Sequence, residues 1–447
     1  RIGYILEQTQ TAIQNVLCLT YTEAGAMEMR RRLIKYIGPT AYNGQIFTFH
    51  GFCNMVIHEN LDRFGVYRDA QPASDLEQFQ ILREIIDEQP LDHPLKRFTG
   101  KIYYETTRLK KLFEAMKLER WTPAMMRETI DGWLERQRTN GAYVYQRSGR
   151  TSSGRTYEKG DIKDAKFRKE VAKPMEVLRA AVDVFDLYNE KLATAGRYDY
   201  HDMLTWVHDA LEADPDFLAN YQERYMYMLV DEFQDSNGIQ LSILKLLASH
   251  WDRPDVFIVG DDDQSIFRFQ GANMQNITAY KRQYDPEVIV LTRNYRSSQH
   301  ILDAASALIV NNEERLVKQF PEYTKELSAE GPTAGSHEMP AVLVYPNWTQ
   351  EQAALLKELT DLHETGVLAS ESVAVIYRMH RQVDELLHVL EVRNIPINVK
   401  KPVNVLWRPI IRNVLTILRY ISLESKQIDS AEHLLFELMQ YGFFGIP

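Results

Sequence analysis

Five short apolar runs, each ending in a polar loop, constrain the fold: "NVLCLTYTEAG" (15–25), "YMLVDEFQD" (227–235), "DVFIVGDDDQS" (255–265), "VIVLTRNYRSS" (288–298) and "SVAVIYRMHRQ" (372–382). Such runs, with little polar alternation, read as strands buried on both faces. Helical pattern follows directly after the first ("GAMEMRRRLIKYI") and the last ("QVDELLHVLEVR"). Alternating strands and helices predict parallel sheets in doubly wound α/β layers, where ligands sit beyond the carboxyl ends of the strands. Those ends carry Thr20, Asp231, Asp261 and Arg296.

Between about residues 66 and 197 the strand signal fades and helical segments such as "DLEQFQILREIIDEQ" and "MEVLRAAVDVFDLYNEKLATA" dominate. This predicts a helical domain inserted into the α/β unit. Within it "YQRSGRTSSGRTYEKGD" (145–161) lacks any apolar periodicity and is predicted to be a mobile basic loop. Residues 146–170 hold eight basic side chains against four acidic ones. "FPEYTKELSAEGPTAGSHEMP" (320–340) reads as an exposed excursion without chemistry.

The 447 residues allow roughly three domains. A net charge of -10 excludes a protein that coats nucleic acid through overall charge, so any polyanion site must be local. Cys18 and Cys53 are too few for a disulfide framework and not spaced for zinc, which points to a reducing compartment, with the cytoplasm as the expected location. No apolar run reaches the eighteen or so residues of a spanning helix and no basic-then-apolar leader is visible, so no membrane partner is expected.

The chemistry gathers at the strand ends. One carboxylate at the end of a buried strand can hold a divalent cation and its neighbour can deprotonate a water, a division of labour that suits Asp231 and Glu232. Asp235 reads equally well as the N-cap of a helix starting near Ser236. In "VGDDDQSIFRFQGA" the amide of Gln264 can sense a phosphate, and Phe267 and Phe269 are either core residues or faces on which unpaired bases stack, at about 1–3 kcal/mol each. "LTRNYRSS" offers Tyr295 for stacking and Arg296 for phosphate neutralisation, although Arg293 or Arg296 could equally form a surface ion pair.

Taken in order, "LTYTEAGAMEMRRRL", "FTFHGFC", "YDYHDML", "LVDEFQDSN", "VGDDDQSIFRFQGA" and "LTRNYRSS" resemble the UvrD/Rep/PcrA-like branch of superfamily 1 DNA helicases. The resemblance implies tandem RecA-like, P-loop-type parallel-sheet domains with an inserted helical domain. It places the opening segment of the first motor domain at 1–65, the inserted domain at 66–197, the closing segment of the first motor at 198–285 and the second motor at 286–447. It also implies ATP-driven 3′ to 5′ movement on single-stranded DNA and at single-strand/duplex junctions, with ATP and Mg²⁺ as cofactors and repair or replication proteins as candidate partners. Matched by position, Asp231 serves the Mg²⁺, Glu232 activates water, Gln264 senses the γ-phosphate, Arg296 is the arginine finger and Tyr295 stacks on adenine. Tyr21, Phe267 and Phe269 match base-stacking aromatics, and Thr20, Thr22 and His50 match polar positions facing the strand.

Departures accompany the matches. Glu23 and Ala24 stand where many relatives have Asn and Lys, Gln270 where Arg is common, and Phe269 where tryptophan is usual. No G-x-x-x-x-G-K-[ST] phosphate loop occurs in the 447 residues, and the last two helicase motifs are not found. The expectation is therefore a piece of a longer helicase that does not turn over ATP appreciably by itself. The rival readings are a DNA-binding scaffold with a degenerate motor and the helicase half of a RecB- or AddA-like helicase-nuclease.

Overall fold

The computed structural model of the chain describes residues 1–447 except 66–68, 98–102, 152–153, 266–273, 400–405, 407–408, 428 and 443–447. It divides into two compact units, Arg1–Glu338 and Met339–Pro447.

The first unit is organised by four parallel strands, β1 (Val16–Thr20), β2 (Gln45–Thr48), β3 (Tyr227–Val230) and β4 (Val256–Ile258), in the spatial order β2-β1-β3-β4. The register pairs Leu17 with Met228, Cys18 with Leu229 and Leu19 with Val230. Successive side chains on a strand point to opposite faces. Leu17, Leu19, Met228 and Val230 accordingly pack with Phe52, Val207 and Leu244, while Val16, Cys18 and Leu229 pack with Ala26, Leu33 and Ile46. Because helices cover both faces, every residue of β1 is buried, which is why its sequence shows no polar alternation.

The first three apolar runs thus form strands where expected. The fourth and fifth do not. Residues 286–292 make no ladder, and only Arg293–Asn294 pairs, in parallel with Ser328–Ala329. In the 372–382 run no strand forms, and Val373 and Ile376 are exposed. Apolar β-formers become a strand only when an edge of matching register receives their backbone groups, a condition that composition does not encode. Among its described residues the second unit is helical, with Leu359, Leu386, Leu390 and Ile395 forming a small core.

A separate helical core gathers Leu82, Ile85, Phe113, Met116, Tyr188 and Leu192. The Phe113 ring lies 5.0 Å from Tyr188 and 5.3 Å from Phe185. Its first long helix, Asp75–Glu88, opens with a reciprocal Ser74–Glu77 capping box. The two ends of this layer run side by side, because Gln71–Pro72 pairs in parallel with Arg197–Tyr198 and Arg197 donates to Glu77 at 2.7 Å. Lys117 of the helix Thr106–Leu118 reaches Asp202 at 2.6 Å, with both side chains largely shielded from water.

Two further expectations are corrected. The basic stretch 145–161 is not a structureless loop: Gly149–Arg150 pairs antiparallel with Thr156–Tyr157, and Val144 bridges Ile162. A ring stack of Tyr145 on Tyr157, 3.6 Å between centroids, supplies the closure that apolar periodicity would otherwise give. The 320–340 excursion carries one strand of the short 293–294/328–329 ladder and a lysine that reaches the acidic edge of the sheet.

Candidate functional site

Four strands end on one edge, and polar residues stand at or just beyond their ends: Thr20, Thr48, Asp231 and Asp261. At β3 the ladder extends one step, since Asp231 N donates to Leu19 O at 2.9 Å. Glu232 then takes the left-handed conformation, φ 52° and ψ 41°, which costs a non-glycine residue about 1–2 kcal/mol. The turn Phe233–Asp235 follows, anchored by the buried Phe233 ring and by Phe233 N donating to Val259 O at 3.0 Å. Asp231 and Glu232 are thereby fixed between a ladder and a buried aromatic side chain.

The Asp231 carboxyl is pushed above its ordinary value by burial and then by the Glu232 charge, against the Glu232 N–H it accepts. Neither Asp231 nor Glu232 has a Lys or Arg partner among the described residues. Asp235 does not cap the following helix. Asn237 does, in a capping box with Gln240, because Ser236 is extended and the helix starts only at Gly238. The Asp235 carboxyl is raised by burial and by Glu232, and its Oδ1 is buried without a hydrogen-bond partner.

A relay joins β3 to β4. Gln234 Nε2 donates to Glu232 Oε2 at 2.6 Å, Gln234 Oε1 accepts from Asp261 N at 3.0 Å, and Gln264 Nε2 donates to Asp261 Oδ2 at 2.5 Å. Gly260 permits the approach, since a Cβ there would stand 2.9 Å from Gln234 Oε1. Asp261, Asp262 and Asp263 place carboxylate oxygens within 4.8 Å of one another, a spacing a metal could use. Lys325 Nζ already fills that position, at 2.5 Å from Asp261, 2.9 Å from Asp262 and 3.0 Å from Asp263. Arg315 adds a bidentate grip on Asp263 at 2.7 and 2.9 Å. Although burial works against its charge, the contacts with Asp261 and Asp262 hold the Lys325 ammonium above the usual lysine range.

At the ends of β1 and β2 the hydroxyls are largely committed to the fold. Thr20 is buried, and a Cβ on Gly25 would stand 2.9 Å from its Oγ1. Thr22 caps the helix Glu23–Ile37 by accepting from Gly25 N at 3.0 Å. Thr48 caps the helix Phe49–Glu59 through Gly51 N and donates to Glu23 Oε1 at 2.7 Å, so Glu23 stitches the two helix starts together. His50 stacks on Tyr200 at 4.3 Å, and burial, then the His201 charge, lowers its pKa to about 3, leaving a neutral ring whose Nε2 has no partner. Tyr200 itself is exposed. The Tyr21 phenol is raised by burial and by the Asp235 charge, which sets it beside the acidic edge.

Tyr295 and Arg296 stand on an Asx turn in which Asn294 Oδ1 accepts from Arg296 N at 2.9 Å and from Ser297 N at 2.8 Å. Both side chains are exposed. Arg293, not Arg296, forms the surface ion pair, with Glu330 at 3.4 Å. The structure therefore brings Asp231, Glu232 and Gln264 onto one edge, while no contact joins Arg296 to them among the described residues. Phe267 and Phe269 lie outside the described residues. Gln234, Lys325 and Tyr200 escaped the residue-by-residue reading of the sequence. Gln234 and Tyr200 stand inside the helicase-like motifs, but nothing local to Lys325 signals its role.

Residues 1–285 match the family model of the UvrD/REP helicase N-terminal domain, and residues 289–442 match that of the UvrD-like helicase C-terminal domain. The chain is similar to the ATP-dependent DNA helicase PcrA of Bacillus subtilis, at 25% identity over 94% of this chain and 49% of the relative. It is also similar to the protein of that name from Staphylococcus aureus, at 26% identity over 96% and 50%. The chain spans about half the length of the curated relatives it matches. Its α/β architecture, the order of its acidic strand ends and the two matched domains together show that the chain belongs to the UvrD/Rep family of helicases.

Proposed function

We propose that this chain provides motor elements of an ATP-dependent DNA helicase or translocase that moves 3′ to 5′ on single-stranded DNA in repair or replication. In this reading the motor lobes are 1–65 with 198–285, and 286–447, with 66–197 inserted into the first. The observation that carries the proposal is the acidic edge: Asp231 and Glu232 have no Lys or Arg partner among the described residues, and Glu232 is joined through Gln234 and Asp261 to the amide of Gln264.

The donor set fits a magnesium nucleotide. Asp231 and Asp235 are both raised by burial and by a neighbouring negative charge, and Asp235 Oδ1 lacks a partner, so a divalent cation would relieve a local charge excess. Bound with the nucleotide, Mg²⁺ supplies neutralisation of phosphate charge. Asp231 would hold it. Glu232, which accepts from Gln234, would take the proton of an attacking water, Gln264, which donates to Asp261, would sense the terminal phosphate, and Tyr295 and Arg296 would serve the adenine ring and the transition-state charge. On the DNA side Tyr21, Phe267 and Phe269 are assigned to base stacking, and Thr20, Thr22 and His50, whose ring stacks on Tyr200, to polar positions facing the strand.

The test is Glu232→Gln in the full-length protein. DNA-stimulated ATP hydrolysis is expected to be lost while ATP and single-stranded DNA binding persist. Turnover close to wild type would overturn the assignment of the base.

A further inference from the structure

We infer that Glu119, at the end of a helix of the insert, is a positioning residue for ATP hydrolysis: its carboxylate holds the start of the helix that follows the acidic turn and so couples the insert to Glu232. The inference rests on the proposed ATPase reading of that edge.

The helix Thr106–Leu118 belongs to two cores at once. Leu109, Phe113 and Met116 pack in the helical core, whereas Leu118 lies with Ile239 in the core of the four-stranded sheet. It ends because Arg120 turns left-handed at φ 54°, with Trp121 N donating to Met116 O at 2.8 Å and Arg120 N to Lys117 O at 3.3 Å, the closure of a Schellman end. Non-glycine residues seldom adopt that conformation, and here the Arg120 side chain is held by Asp209 at 3.3 Å, Glu212 at 3.2 Å and His208 Nε2 at 3.0 Å. Lys117 pairs with Asp202 at 2.6 Å, so both cations grip the helix Asp202–Ala213.

Between these two cations Glu119 makes a different contact. Its Oε1 accepts from Gly238 N at 3.2 Å, across 119 positions of sequence. Gly238 opens the helix Gly238–Ala248, and its N–H is one of the donors a helix leaves without an internal partner. Asn237 and Gln240 satisfy each other's N–H in the capping box, and the carboxylate of Glu119 takes the donor between them, at the positive end of the helix. The fit is close: a Cβ on Gly238 would stand 2.8 Å from Glu119 Oε2 and 3.3 Å from its Cα. No lysine or arginine pairs with Glu119 among the described residues.

Little slack separates this contact from the base. Ser236 and Asn237 are buried, Ser236 N donates to Phe233 O at 3.1 Å and Asp235 N to Glu232 O at 2.9 Å. A shift of the helix start is therefore passed to the turn that keeps Glu232 left-handed. Misplacing a reacting group by about 1 Å can cost about 100-fold in rate, so a contact that fixes the turn acts on the rate of the chemical step more than on binding.

The test measures ATPase kcat and KM with saturating oligothymidine, and oligothymidine affinity, in the full-length protein carrying Glu119→Ala, Glu119→Gln, Gly238→Ala or Arg120→Gln. Glu119→Ala is expected to lower kcat about tenfold with KM and oligothymidine affinity within about twofold, and Glu119→Gln, which keeps an acceptor, to restore kcat to within about threefold of wild type. Gly238→Ala leaves the carboxylate in place and favours the helix itself, yet displaces Glu119, so it should repeat the loss in kcat whether or not Glu119→Ala folds. Arg120→Gln loosens the same helix end without touching Gly238 and is expected to keep kcat within about twofold. A kcat unchanged in Gly238→Ala and Glu119→Ala, a loss confined to KM, or an equal loss in Arg120→Gln overturns the inference while the ATPase reading stands. Wild-type protein without DNA-stimulated ATPase overturns that reading and this inference with it.

Discussion

Replacing Lys325 by methionine removes the one cation that, among the described residues, touches Asp261, Asp262 and Asp263 together, while keeping most of the side-chain volume. The Lys325 side chain is only 15% exposed, and Asp262 is 7% exposed, so water can compensate little there; Asp261, at 36%, is partly solvated. Breaking a buried charge pair typically costs about 3–5 kcal/mol, and the partial solvation of Asp261 brings the expected loss to about 2–4 kcal/mol near pH 7.5. The pH dependence follows from the carboxyl of Asp261. Burial opposes its ionisation, but the Lys325 and Gln264 contacts outweigh that and hold it below its ordinary value of 3.8. A depressed carboxyl contributes stability that is present above the unfolded value and is lost as pH falls through the folded one, so in wild type the contribution survives to about pH 4. In the variant Asp261 loses the lysine contact that helps hold its carboxyl low and faces its acidic neighbours, so acid relieves the repulsion there. The gap between the two proteins should therefore narrow from about pH 7.5 to about pH 4.5 in urea-unfolding curves of the first unit. A loss under about 1 kcal/mol, or a gap that widens with acid, would refute the reasoning.

Thr48→Val removes an N-cap and the bond to Glu23 at once, and should lower stability by about 1–2 kcal/mol in urea unfolding, with Thr48→Ser close to wild type. Burial, then the Asp231 charge, lifts the Cys18 thiol to about 12, and burial alone raises Cys53. Neither should titrate with a thiol reagent at about pH 8 until urea is added, because the thiolate is the reactive form. Gln234→Glu exchanges the donor that steadies Glu232 for a second negative charge beside it, so the orientation of Glu232 should be lost. The DNA-stimulated ATPase rate of the full-length protein should then fall, and more steeply than in Gln234→Ala, which removes the donor without adding a charge.

Legibility tracked how local the determinant was. β1 and β3 were readable because a largely buried strand is written as consecutive apolar residues; β4 was readable from its apolar run although it is only partly buried, and the acids beyond β3 and β4 stand out against those runs. The runs at 288–291 and 372–378 carry the same composition but no ladder, since pairing depends on an edge supplied from elsewhere in the chain. The cap at Asn237 lost out to Asp235 in the sequence because both residue types cap well, and only the extended Ser236 between them selects the second. Lys325 lies about sixty residues from its partners, in a segment without periodicity, so its pairing arises only from the fold. Gln234 was visible as a letter between two acids, but its role follows from Gly260, whose missing side chain lets the amide reach β4.

Neighbouring strands of this sheet end in two acidic clusters that the protein treats in opposite ways. The Asp261–Asp263 group has the tighter spacing and would look like the better metal site in isolation, yet Lys325 and Arg315 neutralise it, and Asp261 is left to orient Gln264. Asp231 and Glu232 receive no such cation among the described residues; instead Asp231 is raised by burial and by Glu232, and Glu232 is held in a strained backbone conformation by the turn that follows. Excess negative charge retained at a fixed position is costly unless something positive arrives there. A cation carried in by a phosphate ligand answers that cost at Asp231 and would gain little at Asp261, where the place is taken. The distribution of lysine and arginine around the acids, more than the acids themselves, is what supports the proposed metal position at β3 and the proposed sensing amide at β4.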